Sequence, residues 1–279
     1  MSASGQATPH PLAGASSSEP RSMVERLALD EIEPDVFVTH ETPAPGHVFG
    51  GLLIGQALRA AQLTVGAGKP AHSLHLNFAL AGTGGEPIRY AVERTRDGTS
   101  FATRRVVATQ SKGVVAVLTA DFHHDEPGVE FERPATPGVP GPEGLPRGRY
   151  DNPYIESRDC PVVADDPVPF ARRAWFRPTQ PVPDDPLLHL QVLAYVSDHG
   201  PTRAAREPHA HLADDARRMS VSLDHSVWFH RPVDVNQWLL SELVPMATGR
   251  GRGLAIGTLR TRDGTLVATV AQEVLLRER

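Results

Sequence analysis

The chain has 279 residues, enough for one large domain or two of ordinary size, and its 40% apolar and 22% charged content allows a sizeable core. Basic residues number 28 against 33 acidic ones, and the formal charge of −5 leaves no basic excess for gripping nucleic acid. No run of 18 apolar residues is present, so no membrane span is expected.

Residues 1–22 are rich in Ala, Ser, Gly and Pro and are expected to form a disordered tail. They lack a basic patch followed by an apolar stretch, so no secretory signal is expected. A first structured block spans 23–125. It opens with a short strand at Asp35–His40, followed by Phe49–Ala61, which is apolar nearly all round and contains small residues, the pattern of a buried helix. Four strands are expected near 72–80, 87–95, 100–110 and 114–123, with turn chemistry at Gly82, Gly84-Gly85, Asp97-Gly98 and Lys112-Gly113. Residues 126–169 are crowded with proline, which forbids regular helix or central strand, and read as a connector. Cys160 lies there. As the one cysteine it can form no internal disulfide, which suits a reducing compartment, and no role is assigned to it. Of the 28 basic residues only Lys69 and Lys112 are lysine, a bias that fits GC-rich coding and so a bacterial source; with no span, no signal and one cysteine, a cytoplasmic protein is expected.

The second block, 170–279, repeats the order of the first. Phe170–Arg177 is the opening strand and Leu187–Asp198 the apolar helix, with strands near 220–230, 237–245, 253–261 and 265–276. A helix can be apolar on every side only if every side is covered. A curved antiparallel sheet covers most of it, and a second copy covers the rest. The expected fold is therefore α+β, a double hotdog of two tandem sheet-round-helix repeats.

Three polar residues in the second block fit a purely structural role poorly. Asp198 ends the apolar helix, where the macrodipole is unfavourable to a carboxylate; an exposed Asp in a turn closed by Gly200 is the alternative. Gln272 is the one polar residue on the strand face Leu266, Ala268, Val270, Val274, Leu276, and a buried amide needs partners. Ser222 begins the run Ser222–Pro232. Alternation groups it with Asp224, Ser226 and Trp228, so periodicity does not turn it inward, and a solvated serine is the alternative. Asp224-His225 does not make a nucleophilic triad with it, because strand neighbours face opposite ways.

Several segments together resemble the type II acyl-CoA thioesterases, which are double-hotdog hydrolases. They are His47-Val48-Phe49-Gly50-Gly51 with Gly55-Gln56-Ala57, Arg96–Phe101 with Arg104-Arg105-Val106, Ser222–Pro232, and Asp263-Gly264 through Gln272-Glu273. The resemblance implies a catalytic set of Asp198, Ser222 and Gln272, with Ser222 standing where many relatives carry Thr. It implies hydrolysis of fatty acyl-CoA to free acid and CoA, with no cofactor and no metal. Residue chemistry then favours an attacking water oriented and deprotonated by Asp198, since the set holds no Cys and no base-paired Ser. Gly50 and Gly51, at the start of the first buried helix, are candidate donors to the thioester oxygen, with tight helix packing as the alternative. His47 is a candidate cleft residue.

Arg104 and Arg105, with Arg231, Arg250 and Arg252, are candidates for CoA phosphates. Matching the repeats places Thr64 opposite Asp198, His72 opposite Ser222 and Ala120 opposite Gln272, so one working site per chain is expected. A hotdog enoyl-CoA hydratase and a non-catalytic acyl-CoA-binding protein are the rival readings. Hotdog sheets also favour a homo-oligomer.

Overall fold

The computed structural model describes residues 21–66, 68–163, 166–211 and 218–278, and nearly all of the expected tail lies outside them. The first half comprises α1 (Met23–Leu27), β1 (Leu29–Glu33), β2 (Val36–Thr39), α2 (Gly50–Leu63), β3 (Ala71–Phe78), β4 (Arg89–Asp97), β5 (Phe101–Gln110) and β6 (Gly113–His123). The connector contributes β7 (Ile155–Asp159). The second half comprises β8 (Arg172–Pro178), α3 (Pro186–Ser197), α4 (Pro201–Arg206), β9 (Arg218–Ser222), β10 (Asp224–Phe229), β11 (Leu239–Gly249), β12 (Arg252–Thr261) and β13 (Leu266–Glu278).

The strands form one continuous antiparallel sheet in the order β1-β2-β4-β5-β6-β3-β10-β13-β12-β11-β8-β7, with β9 also pairing β13. The order is symmetric about the β3–β10 junction: β2-β4-β5-β6-β3 in the first half mirrors β8-β11-β12-β13-β10 in the second. Each half wraps one apolar helix, so the expected double hotdog is present. In α2 the residues Leu52, Leu53, Ile54, Ala57, Leu58, Ala60 and Ala61 are all buried, and in α3 so is every residue from Leu188 to Ser197. Each large apolar side chain taken from water contributes about 2 kcal/mol, so the two helices add substantially to a core whose larger part comes from the inward faces of the strands.

The helices meet each other as well as the sheet. A Cβ on Gly51 would lie 2.3 Å from the Tyr195 carbonyl oxygen, and one on Gly55 would lie 3.2 Å from that of Gln191. Rising numbers in α2 meet falling numbers in α3, so the helices run antiparallel. The N-terminus of α2 therefore abuts the C-terminus of α3, and this juxtaposition positions the site.

The elements α1, β1 and α4 were not expected, and three further local features depart from the periodic reading. The connector is not wholly irregular, since β7 adds an edge strand beside β8. Strand β11 continues past Pro245 to Gly249 because a register shift between Pro245 and Ala247 accommodates the proline; it turns through Arg250 and Gly251, both at positive φ (51° and 73°). The stretch expected as one strand near 220–230 is two strands, broken at Leu223. Ser222 pairs with Val274 while Ser226 pairs with Ala271, a slip of one residue along β13. A slip of one reverses which side chains face inward. Among the described residues no helix is long and apolar enough to cross a membrane.

Candidate active site

Asp198 is the C-cap of α3, with helical backbone angles (φ −82°, ψ 0°), and Gly200 follows in the left-handed region (φ 108°). The turn is the one expected, but the residue is partly buried rather than exposed. It lies against the first turn of α2, where a Cβ on Gly50 would sit 2.5 Å from Asp198 Oδ2 and 3.0 Å from the Phe78 ring. Burial pushes the carboxyl up to about 7, opposed by the Gly51 backbone N–H and by the Gln272 side chain. The N-terminus of α2 thus supplies positive potential to a carboxylate that α3 alone would disfavour. Asp198 Oδ1 is out of contact with solvent and has no hydrogen-bond partner among the described residues.

Ser222 and Gln272 meet beside it. Gln272 faces the core from β13 with 1% exposure, and its Nε2 donates to Ser222 Oγ at 2.7 Å. Thr202 Oγ1 of α4 is 3.4 Å from the same nitrogen. The slip at Leu223 explains why alternation misplaced Ser222: before the break Val221 faces out, 42% exposed, and after it His225, Val227 and Phe229 face in. Asp224 and His225 do point to opposite sides. Asp224 accepts from the Glu273 backbone N–H at 2.7 Å, whereas His225 is fully buried and contacts Gln272. Sequence reasoning missed His225, Ser197, Thr202 and Phe78 as neighbours of the site. For His225 a signal existed, since it shares the inward phase of Val227 and Phe229.

The two glycines divide the alternatives between them. Gly50 makes room for the Asp198 carboxylate. Gly51 makes room for α3 and for the Phe49 ring, and its N–H reaches Asp198. His47 is exposed in the loop before α2, where it bridges Thr83, and no recorded contact joins it to the Asp198 group.

Arg104 is a correction. It is fully buried (0% exposed) and donates to Thr64 Oγ1 (2.8 Å), Thr64 O (3.0 Å), Arg96 O (2.8 Å), Thr103 O (3.0 Å) and Asp97 Oδ1 (2.5 Å). Its guanidinium closes the C-terminal end of α2, where the dipole favours a cation, and it has no face left for a phosphate. Alternation within β5 carries the signal, because Arg104 shares the inward phase of Ala102, Val106 and Ala108. Arg104 pairs across the sheet with Ala120 as Ala255 pairs with Gln272. The position that mirrors the active corner therefore holds Thr64, Ala120 and a buried arginine. Arg105 is exposed and 3.4 Å from Glu93; Arg231 pairs with Glu132 and Arg252 with Glu273.

Comparison with known proteins bears on this corner and on the fold around it. The family model described as acyl-CoA thioesterase matches residues 163–275, and that of the acyl-CoA thioesterase N-terminal domain matches residues 39–123. The chain is 32% identical to human acyl-coenzyme A thioesterase 8, covering 90% of this chain and 87% of that protein. It is 31% identical to acyl-CoA thioesterase 2 of Haemophilus influenzae, covering 91% and 96%. The crystal structure of the acyl-CoA thioesterase II TesB2 from Mycobacterium marinum superposes with a TM-score of 0.81 at 35% identity, over 91% of this chain and 96% of that one. Matches of this extent span both halves and the elements that carry the candidate residues. The chain belongs to the type II acyl-CoA thioesterases and is a thioester hydrolase.

Proposed function

We propose that this enzyme hydrolyses fatty acyl-CoA to free acid and CoA by direct attack of a water that Asp198 deprotonates, with Ser222 and Gln272 holding the water and the carboxylate. The observation that carries the reading is the buried, unpartnered Oδ1 of Asp198, on a carboxyl raised to about 7 and set beside the Gln272–Ser222 pair. A base with that affinity is close to ideal at neutral pH. Asp198 takes the water proton as the C–O bond forms. The thioester oxygen gathers charge, the C–S bond breaks, and the proton passes to the departing sulfur. Gly51 N–H holds the base, which leaves the Gly50 N–H at the open end of α2 for the developing oxyanion.

In the mirror corner Thr64 and Ala120 stand where Asp198 and Gln272 do, and the nearby Asp97 carboxylate is engaged by Arg104, which supports one working site per chain. Release of free thiol from acyl-CoA tests both points. An Asp198→Asn variant should be inactive; undiminished release from an Asp198→Ala/Gln272→Ala double variant would mean that another site does the work. A hydratase would release no thiol from enoyl-CoA, and a binding protein would release none from any acyl-CoA.

The lone free cysteine supports a reducing, cytoplasmic setting. For self-association the β1 end of the sheet is a poor candidate. β1 exposes Asp30, Glu31 and Glu33, and such charge discourages edge pairing. The outer face of β10, with Trp228 44% exposed, is the better candidate surface for a homo-oligomer, and sedimentation of wild type against Trp228→Glu tests it.

A further inference from the structure

We propose that His225 is a positioning residue for the reaction: together with Ser197 it fixes which way the Gln272 amide points. This rests on the reading of Asp198, Ser222 and Gln272 given above. The four side chains form an unbroken chain across the second half. Ser197 Oγ is 2.8 Å from His225 Nε2, His225 Nδ1 is 2.6 Å from Gln272 Oε1, and Gln272 Nε2 is 2.7 Å from Ser222 Oγ. His225 is fully buried, Ser197 is 3% exposed and Gln272 is 1% exposed.

Counting donors assigns the protons. With its oxygen toward the ring, the Gln272 amide requires a proton on Nδ1, and a neutral imidazole then has a bare Nε2. That nitrogen must accept from the Ser197 hydroxyl. Ser197 Oγ also lies 2.8 Å from the Ala194 carbonyl, the usual partner of a helical serine, but one hydroxyl proton serves one acceptor. The amide direction therefore draws that proton toward His225. Burial holds the ring neutral, pushing its affinity down to about 4, so the assignment persists across the working pH range.

The direction of the amide matters because its two ends have opposite polarity. As placed, the NH2 group faces Ser222 and Asp198. A flipped amide would turn its oxygen toward a carboxylate and lose the interaction that lowers the Asp198 affinity for protons. The flipped amide would need the other ring tautomer, with Nε2–H donating to Ser197 and Ser197 to Ala194, while its oxygen faced Asp198. The Asp198 and Ser222 end therefore sets the direction, and the His225 Nδ1–H bond, backed by Ser197, locks the far end of the amide in it. The groups facing this chain are few. Gly51 N–H and Asp198 lie on the helix side, Thr202 on α4, and His75 on β3, where it is exposed and contacts Ser226 Oγ at 2.6 Å. His225 touches neither substrate nor water in this account, so it acts through Gln272.

The test compares His225→Leu, which cannot donate, with His225→Asn, whose amide nitrogen can take the place of Nδ1. Thiol release is followed as kcat and KM across pH. Expected for His225→Leu is a kcat lowered about 10- to 100-fold with KM little changed, and an acidic limb moved to higher pH, because Asp198 loses part of what opposes its protonation. His225→Asn should recover most of the rate and the original limb. If His225→Leu does not fold, Ser197→Ala serves in its place, with a several-fold loss and the same direction of limb shift. Wild-type kcat and limb in His225→Leu, or in Ser197→Ala where that variant stands in, would overturn the proposal; so would an Asn variant that is as slow as Leu. Asp198→Asn and Gln272→Leu measured alongside separate the two readings. Their inactivity beside a fully active His225 variant overturns only the positioning role, whereas their activity overturns the assigned catalytic set itself.

Discussion

Replacing Asp198 by Asn should abolish thiol release and, at alkaline pH, make the protein more stable. In the unfolded chain this carboxyl titrates at its ordinary 3.8; in the native protein it is raised to about 7. The native state therefore holds the proton more tightly than the unfolded one. Below about pH 4 both states are protonated and the favourable contribution is complete. As pH climbs toward 7 the unfolded state ionises while the native state does not, and that contribution drains away at about 1.4 kcal/mol per pH unit. Above 7 the loss levels off, at about 4 kcal/mol in total from those two values. Asn cannot ionise and resembles the protonated acid in shape. Urea unfolding of the two proteins should then differ by about 1–2 kcal/mol at pH 5 and by about 4 kcal/mol at pH 8.5, the variant being the more stable. A gap that stays constant between those pH values, or a variant less stable at pH 8.5, would refute the burial argument and with it the assignment of Asp198 as a base tuned by its surroundings.

Wild-type kcat/KM should rise with pH along an acidic limb centred near 7, the point to which Asp198 is raised in the free enzyme; a limb near 4 would contradict this. Gly50→Ala and Gly51→Ala should fail in different ways. The first drives a methyl into Asp198 Oδ2 and should cut kcat at least tenfold with the fold intact; the second presses on the Tyr195 carbonyl and should cost about 1–3 kcal/mol in unfolding experiments. Ser222→Thr should keep most of the activity and Ser222→Ala should lose most of it, as steady-state thiol release will show. Arg104→Met should destabilise by about 3 kcal/mol, because Thr64, Arg96 and Thr103 lose a buried donor, while KM for acyl-CoA stays unchanged. A raised KM would restore Arg104 as a phosphate contact.

The fold was legible because its signals are local. Two helices apolar on every side, and hairpins turning at Asp97-Gly98 and Asp263-Gly264, give the repeat directly, and the repeat gives the wrap of sheet round helix. The candidate site was legible in part. Gln272 stood out as one amide on an apolar strand face. Ser222 did not, since its inward direction depends on a one-residue slip at Leu223 that alternation cannot reveal. Asp198 could be placed at a helix end, but not against the N-terminus of α2, because antiparallel pairing of the two helices is set by long-range packing at Gly51 and Gly55. The resemblance to the thioesterase family, rather than periodicity, joined the three. Arg104 was read as a candidate phosphate contact although its strand phase matched Ala102 and Val106. β7 was hidden in a proline-rich stretch whose composition speaks against strand, and it forms only at an edge.

Direct attack by a water beside Asp198 is tested most directly by a single turnover in 18O-labelled water, with enzyme in excess over acyl-CoA. The account predicts one solvent oxygen in the released acid and none in the peptide that contains Asp198. Unlabelled acid together with 18O in that peptide would show that the carboxylate itself attacked the thioester, and would contradict it.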